Sequence, residues 1–278
     1  MSRSQHADLS GVSPAGSSEP IAYVMKQLDT LEELVQSYRL RYKVYGDLGY
    51  LRHPNISKLE IDKYDAWAIP FGAFEATSRR LIGTLRLVTK QPQPEFSSLV
   101  QGVLKLFEDD SLAMQARAPR PHILPSIVSD TIDGALAAFN SENFIVSELS
   151  RAIVDHNFGG SGVSRGLMEL GLAQAALGGP ALIVGSCLPE HLPMYARYGC
   201  LRLPQTGLEL FDSVGQIGIA AVCRTDRLPE PTRSHVDGLL RAMRSNAAEH
   251  ITETDGGSRI LYRFHRTPGT GPSATGRE

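Results

Sequence analysis

The sequence predicts an α/β (α+β) fold, a mixed β-sheet flanked by helices with a helical insertion. Three observations carry this expectation. Between residues 144 and 200 strand-like and helix-like stretches alternate, the pattern of parallel strands joined by helices. Ahead of them, two apolar runs separated by a short polar turn read as an antiparallel hairpin, so parallel and antiparallel pairs must share one sheet. A chain of 278 residues is also long enough to bury one substantial core, and no internal repeat divides it.

In chain order, residues 21–27 read as a short strand. In "TLEELVQSYRLRYKVYGDL" the apolar side chains at Leu31, Leu34, Val35, Tyr38 and Tyr42 recur at helical spacing, and Thr30 followed by Glu33 forms a capping box. "WAIPFGAFEA" and "RRLIGTLRLV" form the hairpin, turning around Ser78. Residues 91–143, Pro-rich at both ends, are expected to be an insertion over the core with helices near 97–107 and 126–139. A strand at 144–154, a helix at 164–177, a strand at 181–187 after "GGP" and a helix from Glu190 follow. "GLELF" and "GQIGIAAVC" supply two more strands before a last helix at 233–248. One domain is therefore expected over 21–250. Residues 1–20 and 265–278 lack the large apolar side chains that would offset their ordering entropy, and are expected to be disordered tails.

Composition excludes several classes. Lys+Arg 28 against Asp+Glu 30 gives a net charge of -2, which argues against a nucleic-acid footprint. The first 20 residues lack the apolar run of a signal peptide, and no stretch is long and apolar enough for a transmembrane segment. Cys187, Cys200 and Cys223 are odd in number and lack metal-ligand spacing. Reduced thiols in a cytoplasmic protein, with no metal site, are the expectation.

The most informative stretch is "FIVSELSRAIVDHNFGGSGVSRGLMELGL", residues 144–172, an apolar strand leading through a glycine loop into a helix. Such a junction offers convergent backbone N–H groups and the positive end of a helix dipole, so it suits phosphate. No Gly-Lys-Ser/Thr closes it as a Walker A loop, and the Rossmann glycine spacing is imperfect. Taken alone, a turn capped by Ser161 or Ser164 explains it better.

It does not stand alone. Strand, glycine loop, helix, strand and "PEHLPMYARYGC" together resemble the core of the GCN5-related acetyltransferase superfamily. The resemblance implies that Gly159, Gly160, Gly162, Ser164 and Arg165 hold the phosphopantetheine of an acyl thioester, and that Tyr195 is the general acid. Gly and Ser stand at two positions where the superfamily carries Gln or Arg and Gly or Ala, which favours an acyl carrier protein over free acyl-CoA as donor. Further upstream, "RYKVYGDLGY", "LEIDKYD", "GTLRLV" and "SELSRAIVD" follow the order and approximate spacing of acyl-homoserine-lactone synthases and long-chain N-acyl amino acid synthases. By that resemblance Arg41, Tyr45, Glu60, Asp62, Asp65, Arg86, Glu148 and Arg151 surround an active site. Tyr45 and Tyr50 replace the Phe and Trp of lactone synthases, one residue closer together.

The chemistry needs a base for the attacking amine, an oxyanion donor and a proton for the departing thiolate. Glu148, on a strand with Ser150 two residues on, suits the base; a structural salt bridge to Arg86 or Arg151 is the competing expectation. Glu60, Asp62 and Asp65 are candidates to hold an ammonium group, or solvated acids of a loop. Arg39, Arg41, Lys43, Arg79, Arg80, Arg165 and Arg197 are candidates for a cationic surface that steers an acidic carrier protein. The favoured reading is transfer of a medium or long acyl group to the amine of an amino acid or related small molecule, with no tightly bound cofactor. An acetyl-CoA-dependent N-acetyltransferase and a non-catalytic ligand-binding module on the same fold are the alternatives.

Overall fold

The computed structural model describes residues 20–91, 93–120, 122–139, 143–211, 215–254 and 257–264. The two expected tails lie outside these residues, apart from Pro20. Strand β1 (Ile21–Gln27) leads into helix α1 (Leu31–Asp47), whose Thr30 side chain accepts a hydrogen bond from the Glu33 N–H as the capping box requires. The hairpin follows as β2 (Ala68–Glu75) and β3 (Leu81–Thr89), with seven paired positions from Ala68↔Val88 to Phe74↔Leu81.

Among the described residues, 91–143 hold three α-helices where two helices were expected: α2 (Pro94–Phe107), α3 (Asp110–Arg117) and α4 (Asp130–Ala137). The unexpected α3 is a two-turn helix started by Asp109, whose carboxylate accepts from the Ser111 and Leu112 N–H groups. Helix α4 begins four residues later than expected because Ser129 caps it, and Ser126 instead lies in a turn closed by the Ile127 N–H on the Leu124 carbonyl.

The alternating half contains β4 (Ile145–Val154), α5 (Val163–Ala175), β5 (Ala181–Cys187) and the short α6 (Leu192–Ala196). Strands β6 (Leu201–Arg202), β7 (Glu209–Phe211) and β8 (Gln216–Arg224) and helix α7 (Thr232–Arg244) follow. Strands β9 (Glu249–Glu253) and β10 (Arg259–Arg263) were not expected, and they carry the sheet past residue 250.

The sheet runs β6-β8-β5-β4-β3-β2-β1-β10-β9, with β7 on β8. Pairs β1·β10 and β4·β5 are parallel and the others antiparallel, so the sheet is mixed as expected. Helices cover both faces. Met25, Ile82, Leu85 and Ile183 pack with Leu167 and Leu170 of α5 and Leu239 of α7. On the other face Leu28 and Leu81 meet Leu34 and Val35 of α1 and Val100 and Val103 of α2. Val88, Val146 and Val184 meet Ile132 and Leu136 of α4. Among the described residues, no helix is long and apolar enough to cross a membrane.

Candidate active site

Two irregularities in β4 create the site. The first is a bulge: Arg86 pairs with Ser150 and Thr84 with Ile153, so Arg151 and Ala152 together oppose Leu85 alone. Arg151 takes φ 54°, rare for a side-chain-bearing residue. The second is a parting of strands. β4 and β5 pair from Ile145↔Ala181 to Glu148↔Val184, and beyond that point Ser150, Arg151, Gly185 and Cys187 line a cavity of about 160 Å³.

Three arginines and three acids form a closed ionic cluster beneath the bulge. Arg41 of α1 donates through Nε to Glu60 and grips Asp65 with both terminal nitrogens, at 2.7 and 3.1 Å. Arg86 of β3 grips Asp62 in the same way, at 2.6 and 2.9 Å, and its Nε donates to Ser150 Oγ at 3.0 Å. The Arg151 Nη2 joins Glu60 Oε1 and Asp62 Oδ2, each at 2.8 Å. Three positive and three negative charges therefore neutralise one another in a buried place, where an unpaired charge would be costly. Burial works against charge on Arg41, but Asp65 and Glu60 outweigh it and raise its pKa. Burial likewise opposes ionisation of Asp62, and Arg86 and Arg151 overcome this and hold the carboxyl well below its ordinary range.

This corrects two expectations. Glu60 and Asp65 are buried and Asp62 half-buried, so the trio is not a solvated loop, and its charge is already matched by arginines rather than left open for an ammonium group. Arg41 is 2% exposed and is no part of a cationic surface.

Glu148 lies beside the cluster. Its Oε2 accepts from the Ser126 main-chain N–H at 2.6 Å, while Arg86 and Arg151 form ion pairs with Asp62, Asp65 and Glu60. It is 1% exposed, and burial pushes its pKa up to about 7 although Ser126, Arg86 and Arg151 pull the other way. Glu148 and Ser150 line the smaller cavity together with Tyr195 of α6, whose hydroxyl burial keeps protonated by raising its pKa. A larger cavity of about 380 Å³ adjoins, lined by Tyr45, Tyr50, Glu60, Asp62, Tyr64 and Arg151 among others. Tyr45 and Arg151 line both, and the Arg151 guanidinium lies 5.3 Å from the Tyr45 ring centre. The edge-on Tyr45–Tyr50 contact, at 6.3 Å, shows that the shortened spacing still brings the two rings together.

Sequence reasoning missed the segment that roofs the larger cavity, residues 118–120 and 122–129. The Arg120 guanidinium stacks 3.2 Å from the Trp67 ring centre, and the Tyr64 hydroxyl donates to the His122 carbonyl at 3.4 Å. His122, Pro125, Ile127 and Val128 face the cavity. Its prolines were legible as punctuation, but nothing local announced the contact between Ser126 and Glu148, 22 positions apart.

The glycine loop is formed much as expected but lies apart from the residues lining either cavity. Gly160 and Gly162 take φ 77° and 85°, and Gly162, rather than Ser161 or Ser164, occupies the N-cap of α5. Gly159, with φ −58°, precedes them, and Ser164 and Arg165 are in the first turn of α5. Arg165 is corrected as a surface cation: its Nε donates to Glu169 at 2.9 Å and its Nη2 lies 2.9 Å from His235 Nδ1.

A mixed sheet parts at its parallel central pair over a cleft, and the family that this chain matches makes it an N-acyltransferase. A family model described as N-acyl amino acid synthase FeeM matches residues 36–206, more than half of the chain, and the chain belongs to that family. Among solved structures it is similar to FeeM, an N-acyl amino acid synthase from uncultured soil microbes, with a TM-score of 0.50 and 19% identity over 77% of this chain and 94% of that one. It is also similar to BjaI, a CoA-dependent acyl-homoserine lactone synthase seen with SAM and isopentyl-CoA, with a TM-score of 0.50 and 16% identity over 88% and 95% of the two chains. At such identities the likeness establishes the fold. Comparison with curated proteins finds no match.

Proposed function

We propose that the protein transfers a medium or long fatty acyl group from a phosphopantetheine thioester to the amine of an amino acid or a related small molecule. The observation that carries this reading is the meeting of two cavities at Tyr45 and Arg151, with Glu148 in the smaller one. The thioester arm enters where β4 and β5 part, and the acceptor occupies the larger cavity, where Arg52, Lys63 and His122 suit a carboxylate.

In the reaction Glu148 accepts a proton from the amine, the nitrogen bonds to the thioester carbonyl carbon, and the carbon–sulfur bond breaks. The Tyr195 hydroxyl supplies the proton that the departing thiolate takes up. An acyl carrier protein is the favoured donor because Lys43, Arg79 and Arg80 remain exposed, and Lys43 and Arg80 both act on Asp155 at the start of the glycine loop. A cytoplasmic setting accords with the three free cysteines.

Mass spectrometry of lipid extracts from expressing cells tests the reading. An N-acyl amino acid should accumulate with the wild type and be lost with Glu148→Gln, since removing a positioned base costs on the order of 10²–10⁴ in rate. A fully active Glu148→Gln enzyme, or no acylated amine from a folded wild type supplied with acyl-CoA and acyl carrier protein in turn, would overturn it.

A further inference from the structure

The segment between α3 and α4 lines the larger cavity and contacts a wall residue of the smaller one. Pro125 and Ile127 line the larger one, and Ser126 between them turns its main-chain N–H onto Glu148, a wall residue of the smaller one. Ser126 is 1% exposed, and its Oγ, which makes no well-aligned hydrogen bond among the described residues, lies close enough to the Glu148 carboxyl to act on it. A buried hydroxyl gains from a well-aligned acceptor, and the Glu148 carboxyl is the acceptor beside this one.

We infer that Ser126 is a positioning residue for Glu148: its main-chain N–H fixes the carboxyl, and its hydroxyl turns to become a second donor when the carboxylate is charged. This inference rests on the reading of Glu148 as the base, and it deepens that reading. A base must be protonated and deprotonated within each cycle. A donor that rotates on demand stabilises the ionised form without clamping it permanently, as an ion pair would. The hydroxyl is near enough to Glu148 to favour the charged state even in its present rotamer. The other charged or titratable groups around it are Arg86 from β3, Arg151 from β4, Tyr64 beneath the segment, and Tyr45, Cys187, Tyr195 and Cys200 around the cavity. Both arginines are engaged by the acidic trio, so Ser126 is the donor whose state can change independently.

The same segment is held down by Arg120 on Trp67 and by Tyr64 on His122.

The test uses protein labelled at glutamate side-chain carboxyl carbons, with the Glu148 resonance assigned through Glu148→Gln. Ser126→Ala should move the Glu148 titration midpoint upward by about one pH unit, the effect of losing one hydrogen bond to a charged acceptor. Ser126→Thr, which retains the hydroxyl, should return it toward the wild-type value. The acidic limb of the rate profile should move with the midpoint in both variants. An Ala variant that titrates like the wild type overturns the role of Ser126 whatever its activity. A midpoint that moves while the rate profile stays fixed upholds the contact and removes Glu148 as the base, so the two readings fail separately.

Discussion

At the scale of single residues, Glu148 is a cost to folding. Its folded-state pKa of about 7 exceeds that of an unfolded glutamate, about 4.3, so between those values the unfolded chain ionises while the folded one holds its proton. Stability is unaffected below the unfolded value and falls as pH rises toward 7, by roughly 3–4 kcal/mol for a shift of this size. Glu148→Gln keeps an acceptor for the Ser126 N–H and removes the penalty. Its melting temperature relative to wild type should therefore gain more at pH 8 than at pH 5; an equal difference at both would contradict the buried titration. Asp62 behaves oppositely. Its depressed pKa stabilises the fold at all pH values above the ordinary carboxylate range, and this is lost as pH falls through the folded value. Arg86→Ala strips Asp62 of its two-pronged partner and should destabilise by roughly 3–5 kcal/mol, read by denaturant unfolding.

At the scale of elements, the glycine loop and bulged β4 show how far local pattern reaches. The loop, the α1 cap and the β2–β3 hairpin each depend on residues close in sequence, and all were legible. The neutrality of the ionic cluster was not, because Arg41, Asp62, Arg86 and Arg151 come from four separate segments and meet only when the bulge turns Arg151 inward. Strands β9 and β10 were illegible for a related reason: "EHITE" and "RILYR" are short, charged and flank a turn, and only their pairing gives them strand character. The loop itself is less tolerant than its surface position suggests. A Cβ on Gly162 would lie 2.6 Å from Thr254 Cγ2, and its φ of 85° disfavours any side chain. Gly162→Val should accordingly lower the melting temperature, whereas Gly160→Ala, strained only by its φ of 77°, should cost less.

At the scale of the whole molecule, the proposed carrier-protein donor is a matter of charge placement. Net charge is only -2, so steering would come from a local patch, and Lys43 and Arg80, both exposed and both acting on Asp155, are its candidates. Paired reversal of Lys43 and Arg80 to glutamate should weaken turnover with acyl carrier protein at low salt and blunt its salt dependence, leaving any reaction with acyl-CoA nearly unchanged. Loss of both activities in parallel would show that the patch serves the fold instead.

Strands β1 and β10 lie side by side although more than 230 positions separate them. During synthesis the hydrogen-bonding edge of β1 that faces β10 must wait unpaired until residue 263 has cleared the ribosome, by which time β2 to β8 are already available to one another. Among the described residues the last strand made is therefore the one that joins β9 to the rest of the sheet, and a ribosome that stalls before it leaves a nearly finished enzyme with β1 as an open, adhesive outer edge.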